Sequence, residues 1–360
     1  MSLTPVPERL PTTPEEISST WLSTVLDQDV QHFEVTYTLL NQTAGKVFAT
    51  ITYKDGKQDN VCLKGSFNPS MMAMEGYSEI LSAMYTREAG FFVHVAPELT
   101  AMRLPRVLWA GANTEQGQAI VIMEDLRKKG YKFGSAVEAW PVDRVKAGVE
   151  QLAALHAGTW NTSMEEFPWL TPNYEEVVIG LAEAWDRVVL GPDRPPVPDI
   201  IKDKQRTVNA MKKHHATKNP RFLCLVHGDP HSGNTFIDQD GNPNFLDWQT
   251  AHISSAFHDF AYFVVGALSV DDRRQHERSV LSYYLEKLYE YGGPALTADD
   301  EEVMEEYKKC IMSGMGWIMT PYEMQRKEAV IAMVERYSTA ITDHKVIELV
   351  ESLPYPLQSF

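Results

Sequence analysis

The segment LVHGDPHSGNTFIDQDGNPNFLDWQ, from Leu225 to Gln249, carries polar side chains at the ends of two short apolar strands. Asp229 and Asn234 lie five residues apart in a turn-rich loop, and Asp247 follows the hairpin turn DQDGNP. Antiparallel pairing of the two strands would bring Asp247 back beside Asn234. Carboxylate and amide oxygens are hard ligands that suit Mg²⁺, and Asp229 is left to accept a proton from an attacking hydroxyl. This equipment predicts phosphoryl transfer.

The elements that must position these residues form two groups. A short capped helix in TTPEEISSTWLSTVL precedes three strand-like segments, FEVTYTLLNQ, KVFATITYKDG and NVCLKGSF. A helix at about residues 75–90 and two further strands, RVLWAGAN and QAIVIMEDL, complete the first group. The pattern then becomes helical. We therefore expect an α+β fold with two lobes: a β-rich nucleotide-binding lobe over residues 1–126, and a helical lobe over residues 127–360 with the catalytic loop and the acceptor site.

Several helices are predicted in the second part. VDRVKAGVEQLAALHAGTW has an apolar face that includes His156, which we interpret as a satisfied core histidine. YEEVVIGLAEAWDRVVL and DIIKDKQRTVNAMKKHH also have helical patterns and are separated by the breaker GPDRPPVP. Thr297 is the predicted N-cap of a helix in ADDEEVMEEYKK.

Composition excludes several classes of function. A net charge of -16 over 360 residues argues against broad nucleic-acid binding, since phosphate contacts need clustered Lys and Arg. Three widely spaced cysteines, Cys62, Cys224 and Cys310, suggest neither a disulfide framework nor a zinc site. The first residues do not have the pattern of a signal peptide, and no apolar run could span a membrane. We expect a cytoplasmic protein. The oligomeric state is not indicated.

The motif HGDPHSGN followed by LDWQ resembles the catalytic signature of the aminoglycoside phosphotransferase and choline kinase group. The Asp-x-Gln ending resembles the ecdysteroid-kinase-like branch most. This resemblance implies a protein-kinase-like fold, ATP and Mg²⁺ as cofactors, and a small-molecule alcohol as substrate. By position it makes Asp229 the catalytic base, and Asn234 and Asp247 the Mg²⁺ ligands. Three residues would support the loop: His227, His231 and Asp259.

The resemblance also assigns nucleotide contacts in the first lobe. Lys64, at the end of VCLK, takes the phosphate-binding position, and Glu88 in REAGFF would form an ion pair with it. The backbone from Glu124 through Asp125 to Leu126 in VIMEDL would bond adenine. Gly45 in NQTAGKVFA is the one glycine of the loop that would cover the phosphates. The competing residues are Lys54 and Lys57 for the lysine, and Glu75 and Glu79 for the glutamate.

Three readings of function compete. A protein kinase is disfavoured because the loop reads HGD and no DFG-to-APE activation segment is present. A non-catalytic nucleotide-binding module would retain the fold without turnover. Among small-molecule kinases, a cationic acceptor such as an aminoglycoside or choline competes with a hydrophobic alcohol such as a terpenoid, steroid or polyketide. The Asp-x-Gln ending favours the hydrophobic alcohol, as does the supply of large side chains in the helices and the insert, for instance Trp169, Tyr174, Trp185, Met315 and Trp317.

Overall fold

A computed structural model describes residues 6–40, 43–73, 78–170 and 174–354. The chain divides into two compact units. The first comprises residues 1–132, 167–171 and 247–251, and the second comprises residues 133–166, 172–246 and 252–360. The segment that begins at Asp247 therefore belongs to the first unit, whereas the loop from His227 to Asn234 belongs to the second.

The first unit is built on a five-stranded antiparallel sheet in the order β1-β2-β3-β5-β4. Alternation within the strands gives the sheet a core face, because Val47 and Leu63 are fully buried cross-strand partners. Helices α1, α2 and α3 complete the unit. The strands are β1 Val30–Leu39, β2 Gly45–Tyr53, β3 Gln58–Gly65, β4 Val107–Asn113 and β5 Gln118–Glu124; the helices are α1 Ser19–Leu26, α2 Pro69–Met72 and α3 Ser78–Gly90.

The N-terminal helix is shorter than the sequence predicts. Residues Pro14–Glu16 form a separate 3₁₀ turn, and α1 begins at Ser19. The Ser18 hydroxyl accepts a hydrogen bond from the Trp21 N–H at 3.1 Å, which is an N-cap that fixes the start of the helix.

The second unit is mostly helical. Strand β6 is the dipeptide Lys132–Phe133, between whose two residues the chain passes from the first unit to the second. Strands β7 and β10 form an antiparallel pair, and β8 and β9 form a hairpin. The remaining elements are α4 Val142–Gly158, α5 Tyr174–Gly180, α6 Trp185–Val188, α7 Asp199–Lys202, α8 Lys204–Ala216, β7 Leu223–Val226, β8 Thr235–Ile237, β9 Pro243–Phe245, β10 His252–Ser255, α9 Ala256–Ala267, α10 Val270–Glu290, α11 Glu301–Cys310, α12 Met315–Met319, α13 Lys327–Asp343 and α14 Val346–Ser352.

Two helices predicted as continuous are broken. One ends as α5 at Gly180, a residue with weak helix preference. The other is interrupted at Asp203, whose side chain accepts the Arg206 N–H at 3.0 Å and caps α8. The N-cap of α11 is Asp300 rather than Thr297, so that prediction was wrong by three residues.

Helix α9 forms the centre of the second unit. All twelve of its residues are buried, including Asp259. Within the ranges that the structure describes, none of the helices combines the length and the apolar character that a bilayer span requires. The β-rich N-terminal region and the helical C-terminal region confirm the predicted α+β class.

Candidate active site

The loop after β7 is held from behind by Asp259, the fourth residue of α9. One carboxylate oxygen accepts the His227 N–H at 2.6 Å, and the other accepts the Gly228 N–H at 2.9 Å. Gly228 has φ +86°, a conformation that glycine adopts without strain. A fully buried carboxylate on one helix therefore fixes the turn that carries Asp229.

The charge of Asp259 is itself stabilised by its surroundings. Burial alone would raise its pKa, but the hydrogen bond from His156 and the charges of nearby histidines lower it to about 2. His156 Nε2 donates to Asp259 at 3.2 Å, and His156 Nδ1 accepts the Tyr284 hydroxyl at 2.7 Å. Both ring nitrogens of His156 are bonded and the side chain is fully buried, which confirms the core interpretation.

His227 braces the same loop from the other side. Its Nε2 donates to the Leu246 carbonyl at 2.9 Å, and its Nδ1 accepts the Asp229 N–H at 3.3 Å. The Leu246 N–H donates to the Asn234 carbonyl at 2.8 Å, which extends the β8–β9 pairing up to the residue before Asp247. The predicted hairpin return is therefore present in the backbone.

The Asp229 carboxylate accepts hydrogen bonds on both oxygens. Tyr262 donates its hydroxyl to Oδ1 at 2.6 Å, and Asn234 Nδ2 donates to Oδ2 at 3.1 Å. His231 Nε2 lies 3.6 Å from Oδ2, while its Nδ1 accepts the Gly233 N–H at 3.0 Å. The side chain of Asp229 is fixed in direction while about a third of it remains exposed.

Tyr262 contacts the Asp229 carboxylate, and the sequence analysis did not single it out. It lies three residues after Asp259, and helical spacing puts the two on neighbouring positions of α9. The available signal was an aromatic residue with a polar tip at that spacing in HDFAYF. An apolar run hides this signal, because tyrosine in such a run is usually a core residue.

Asn234 is oriented by the backbone of the loop. Its Nδ2 donates to the Asp229 carbonyl at 3.0 Å as well as to the Asp229 carboxylate. These two donations leave Oδ1 as the remaining polar atom, and it accepts no hydrogen bond from the part of the chain that the structure describes. A side-chain oxygen is therefore available for a cation.

Lys64 forms the centre of a charged cluster in the first unit. Its Nζ lies 2.9 Å from Glu88 Oε1 and 2.9 Å from Asp247 Oδ1. Lys64 and Glu88 are almost wholly buried, whereas the side chain of Asp247 is 37% exposed. Of the competitors, Lys54 pairs with Asp29 and Lys57 with Asp59, Glu79 is exposed, and Glu75 lies outside the described residues.

The cluster has two carboxylates for one ammonium. Burial would lower the pKa of Lys64, but the charges of Asp247 and Glu88 outweigh it and raise that pKa. Burial raises the pKa of Glu88 and Asp247 adds to this, while Lys64 offsets only part of it. The negative charge of Asp247 raises both pKa values, so it acts on the lysine and on the glutamate alike.

Asp247 is held in an unusual backbone conformation. Its φ of 69° is in the left-handed region, which costs energy for a residue with a Cβ. The next residue, Trp248, is fully buried and stacks on Phe91 with ring centroids 3.6 Å apart and planes 7° apart. Phe91 follows α3 directly in a π-helical turn, so the element that carries Glu88 also anchors the Asp247 turn.

The predicted hinge has three backbone N–H groups, of which two donate hydrogen bonds to backbone carbonyls and one is available. The Glu124 N–H donates to the Arg106 carbonyl at 2.9 Å, and the Asp125 N–H donates to the Asn60 carbonyl at 2.9 Å. Leu126 begins a 3₁₀ turn capped by Asp125, and its N–H makes no hydrogen bond within the described ranges. Leu126 is the hinge residue that could donate to a base.

Gly45 has a packing reason to be glycine. It is the first residue of β2, is buried, and has no positive φ. A Cβ at this position would lie 2.9 Å from Phe67 Cβ. The structure thus shows a close approach of β2 to Phe67 at the position that the sequence analysis assigned to phosphate contact.

The large side chains that the sequence offered for an acceptor site are dispersed. Trp169 belongs to the first unit and stacks on His94. Trp185 and Met315 are fully buried in the second unit, and the side chain of Tyr174 is not described. Trp317 lies against the loop, with its ring edge-on to His231 at 5.1 Å. Of this set, Trp317 is the residue that the structure brings to the loop.

Comparison with known proteins gives a family match. The sequence profile of the ecdysteroid kinase-like family matches residues 49–292, more than half of the chain. No curated protein sequence matches the chain.

Among solved structures, the chain is similar to amicoumacin kinase hAmiN in complex with AMP-PNP, Ca²⁺ and Ami, with 15% identity, a TM-score of 0.50, and coverage of 87% of this chain and 89% of that one. It is also similar to the GDP and kanamycin complex of APH(2")-IIia, with 11% identity, a TM-score of 0.50, and coverage of 91% and 99%. At these identities the likeness shows the fold.

Proposed function

The chain belongs to the ecdysteroid kinase-like family, and we propose that it is an ATP- and Mg²⁺-dependent kinase that phosphorylates a hydroxyl group of a small molecule. Family membership already indicates a small-molecule kinase. The single observation that carries the more detailed proposal is the held carboxylate of Asp229. Its two oxygens are oriented by Tyr262 and Asn234, as a base that must meet an incoming hydroxyl requires.

Asp229 has the role of general base. It accepts the proton of the acceptor hydroxyl as the hydroxyl oxygen attacks the γ-phosphorus of ATP and the bond to the β–γ bridging oxygen breaks. Transfer is direct, so no phosphoenzyme forms. His227 and Asp259 keep the loop in place, and His231 fixes the turn between Asp229 and Asn234.

The donor set fits Mg²⁺ bound together with a nucleotide. No group of three or more His, Cys, Asp or Glu side chains that could hold a metal ion is present among the described residues. Mg²⁺ is commonly held by one or two protein oxygens plus substrate phosphates. Asn234 has an available amide oxygen, and an oxygen of Asp247 already accepts from a cationic ammonium, so these two residues would hold the ion. When bound, it would neutralise the charge of the phosphates.

The nucleotide contacts come from the first unit. Lys64, fixed by Glu88, would bind the phosphates. The adenine would accept from the Leu126 N–H and donate to a backbone carbonyl of the segment Glu124–Leu126. The N–H groups of Glu124 and Asp125 already donate to backbone carbonyls. Leu126 would therefore be the residue of this segment whose N–H binds adenine.

We favour a hydrophobic alcohol as the acceptor, in the class of terpenoids, steroids or polyketides. In the second unit, Asp229 is contacted by Tyr262, Asn234 and His231, and His231 is in turn contacted by the indole of Trp317. None of these neighbours is a carboxylate, whereas a cationic acceptor would need carboxylates in addition to Asp229 to balance its charge.

The test is turnover of ATP with a panel of acceptors. ADP release and a phosphorylated product should appear with at least one apolar alcohol, and both should vanish in Asp229→Asn. Turnover with aminoglycosides or choline and none with apolar alcohols would overturn the acceptor class. Binding of Mg·ATP without transfer to any member of the panel would favour the non-catalytic nucleotide-binding module.

A further inference from the structure

We infer that Lys46 is a second phosphate-binding lysine, which contacts the β- or γ-phosphate of a nucleoside triphosphate beside Lys64. This inference rests on the proposed function. The residue lies on β2, directly after Gly45.

The strand register places Lys46 opposite Lys64. The two are Cα partners in the β2–β3 pairing, and cross-strand partners project from the same side of a sheet. The neighbouring pair, Val47 and Leu63, is fully buried and forms the core face. Alternation therefore puts both lysines on the opposite face, the face from which Glu88 of α3 reaches Lys64.

Two lysines in this relation repel each other. Like charges directly opposite on a sheet are destabilising, and the effect is stronger here because Lys64 is buried and Lys46 is half-buried. Glu88 and Asp247 both bond Lys64. A triphosphate carries enough negative charge to bind both ammonium groups at once.

Gly45 is the one glycine of the segment NQTAGKVFA. It is the first residue of β2 and is required there by the approach of Phe67. Of the described residues before Gly45, the Leu40 carbonyl accepts from Asn68 Nδ2 at 2.7 Å and the Thr43 carbonyl accepts from the Tyr85 hydroxyl. A glycine-rich loop would cradle phosphates with successive backbone N–H groups. In this chain the ammonium of Lys46 would take that role.

The competing explanation is a lysine with a structural role only, through its methylene stem and its contacts within the protein. The two explanations differ in ligand dependence. A stem that only packs affects folding and leaves nucleotide affinity unchanged, whereas a phosphate contact affects triphosphate affinity and leaves adenosine affinity unchanged.

The experiment measures binding by calorimetry to the full-length wild-type chain and to Lys46→Met, Lys46→Arg and Lys54→Met. The ligands are Mg·AMP-PNP and adenosine. Lys54 is the matched control, because it is the residue directly after the same strand and forms an exposed ion pair with Asp29. Methionine keeps the apolar stem of Lys46, and thermal unfolding checks that each variant is folded.

We expect Lys46→Met to weaken Mg·AMP-PNP about 10-fold or more, as loss of a charge-assisted contact does. Adenosine affinity should stay within about twofold, Lys46→Arg should recover part of the loss, and Lys54→Met should match the wild type. If the wild type binds Mg·AMP-PNP tightly and Lys46→Met binds it with the same affinity, the role of Lys46 is overturned and the proposed function is not. Absence of Mg·AMP-PNP binding in the wild type overturns the role of Lys46 together with the proposed function.

Discussion

The two groups of predicted site residues are held by different forces. In the first unit, Lys64, Glu88 and Asp247 are held to one another by opposite charges in a mostly buried cluster. In the second unit, Asp229 is held by hydrogen bonds from a neutral phenol and a neutral amide, and its loop is anchored through backbone N–H groups by Asp259. Charge pairs suit residues that must exchange partners when a charged ligand arrives. Neutral, directional bonds suit a base that must keep one orientation.

The difference predicts how each group fails when one member is removed. Loss of a charged partner in the first unit should affect nucleotide binding and turnover together. Loss of a support in the second unit should affect turnover or folding and leave nucleotide binding largely intact. Five substitutions test this contrast, in order of decreasing effect.

Asp229→Asn should have the largest effect, a loss of roughly 10³-fold in kcat, because general-base catalysis commonly contributes 10²–10⁴-fold. The carboxamide keeps the size of the side chain, so the dissociation constant of Mg·AMP-PNP should change little. Steady-state kinetics and calorimetry measure the two quantities. Asp240→Asn, at an exposed position of the β8–β9 turn, is the control. Near-normal turnover in Asp229→Asn would show that another group is the base.

Asp259→Asn should lower the free energy of unfolding by about 3 kcal/mol, because an amide nitrogen would replace a buried acceptor of backbone N–H groups. The pH dependence is a second readout. The folded pKa of about 2 lies below the usual value near 3.9, so the carboxylate stabilises the fold above about pH 4. That contribution, about 2–3 kcal/mol, is lost as the pH falls from about 4 to about 2.

Urea unfolding at a series of pH values separates two effects at Asp259: the loss of a buried hydrogen-bond acceptor and the protonation of the carboxylate. The wild type should lose more stability than Asp259→Asn between pH 5 and pH 3, since the variant has no carboxylate to protonate at this position. Parallel curves for the two proteins would mean that Asp259 is not the group that titrates. Asp240→Asn serves again as the exposed control.

Lys64→Met and Glu88→Gln should each lower kcat/KM for ATP by roughly 10²-fold, or about 2.7 kcal/mol. Their effects should not add in the double variant, because Glu88 acts by holding Lys64. Unlike Asp229→Asn, both should also weaken Mg·AMP-PNP. Glu79→Gln, at an exposed position of the same helix, is the control. If the two effects on kcat/KM were fully additive, Glu88 would not act through the phosphate contact of Lys64.

Tyr262→Phe should have the smallest effect, a decrease of roughly 10-fold in kcat with the KM for ATP unchanged, since one hydrogen bond to a charged group is lost. Tyr283→Phe is a matched control, because its hydroxyl also donates to a carboxylate, Glu150 Oε2, at 2.7 Å in the second unit. An equal change in kcat for the two variants would mean that Tyr262 has no special relation to Asp229.

Much of the site was predictable because it is local in sequence. The spacing of Asp229, Asn234 and Asp247 follows from one loop and one hairpin, and the hairpin return is confirmed by the Leu246–Asn234 bond. Strand alternation predicted the five strands of the first unit within a few residues. The buried run that ends in Lys64 distinguished that lysine from Lys54 and Lys57, which pair with surface carboxylates.

The remaining features depend on side chains that are distant in sequence. Tyr262 is 33 residues from Asp229, and the strand register that sets Lys46 beside Lys64 depends on pairing that no single segment encodes. Gly45 lies in the segment that the sequence assigned to a phosphate loop. The structure explains the glycine at this position by the close approach of Phe67. The sequence by itself determined the polar residues and spacing of the loop and the class of fold, because motif spacing and strand period are local. Only the tertiary structure decided which neighbours orient each group, because burial and contact are set by the whole packed chain.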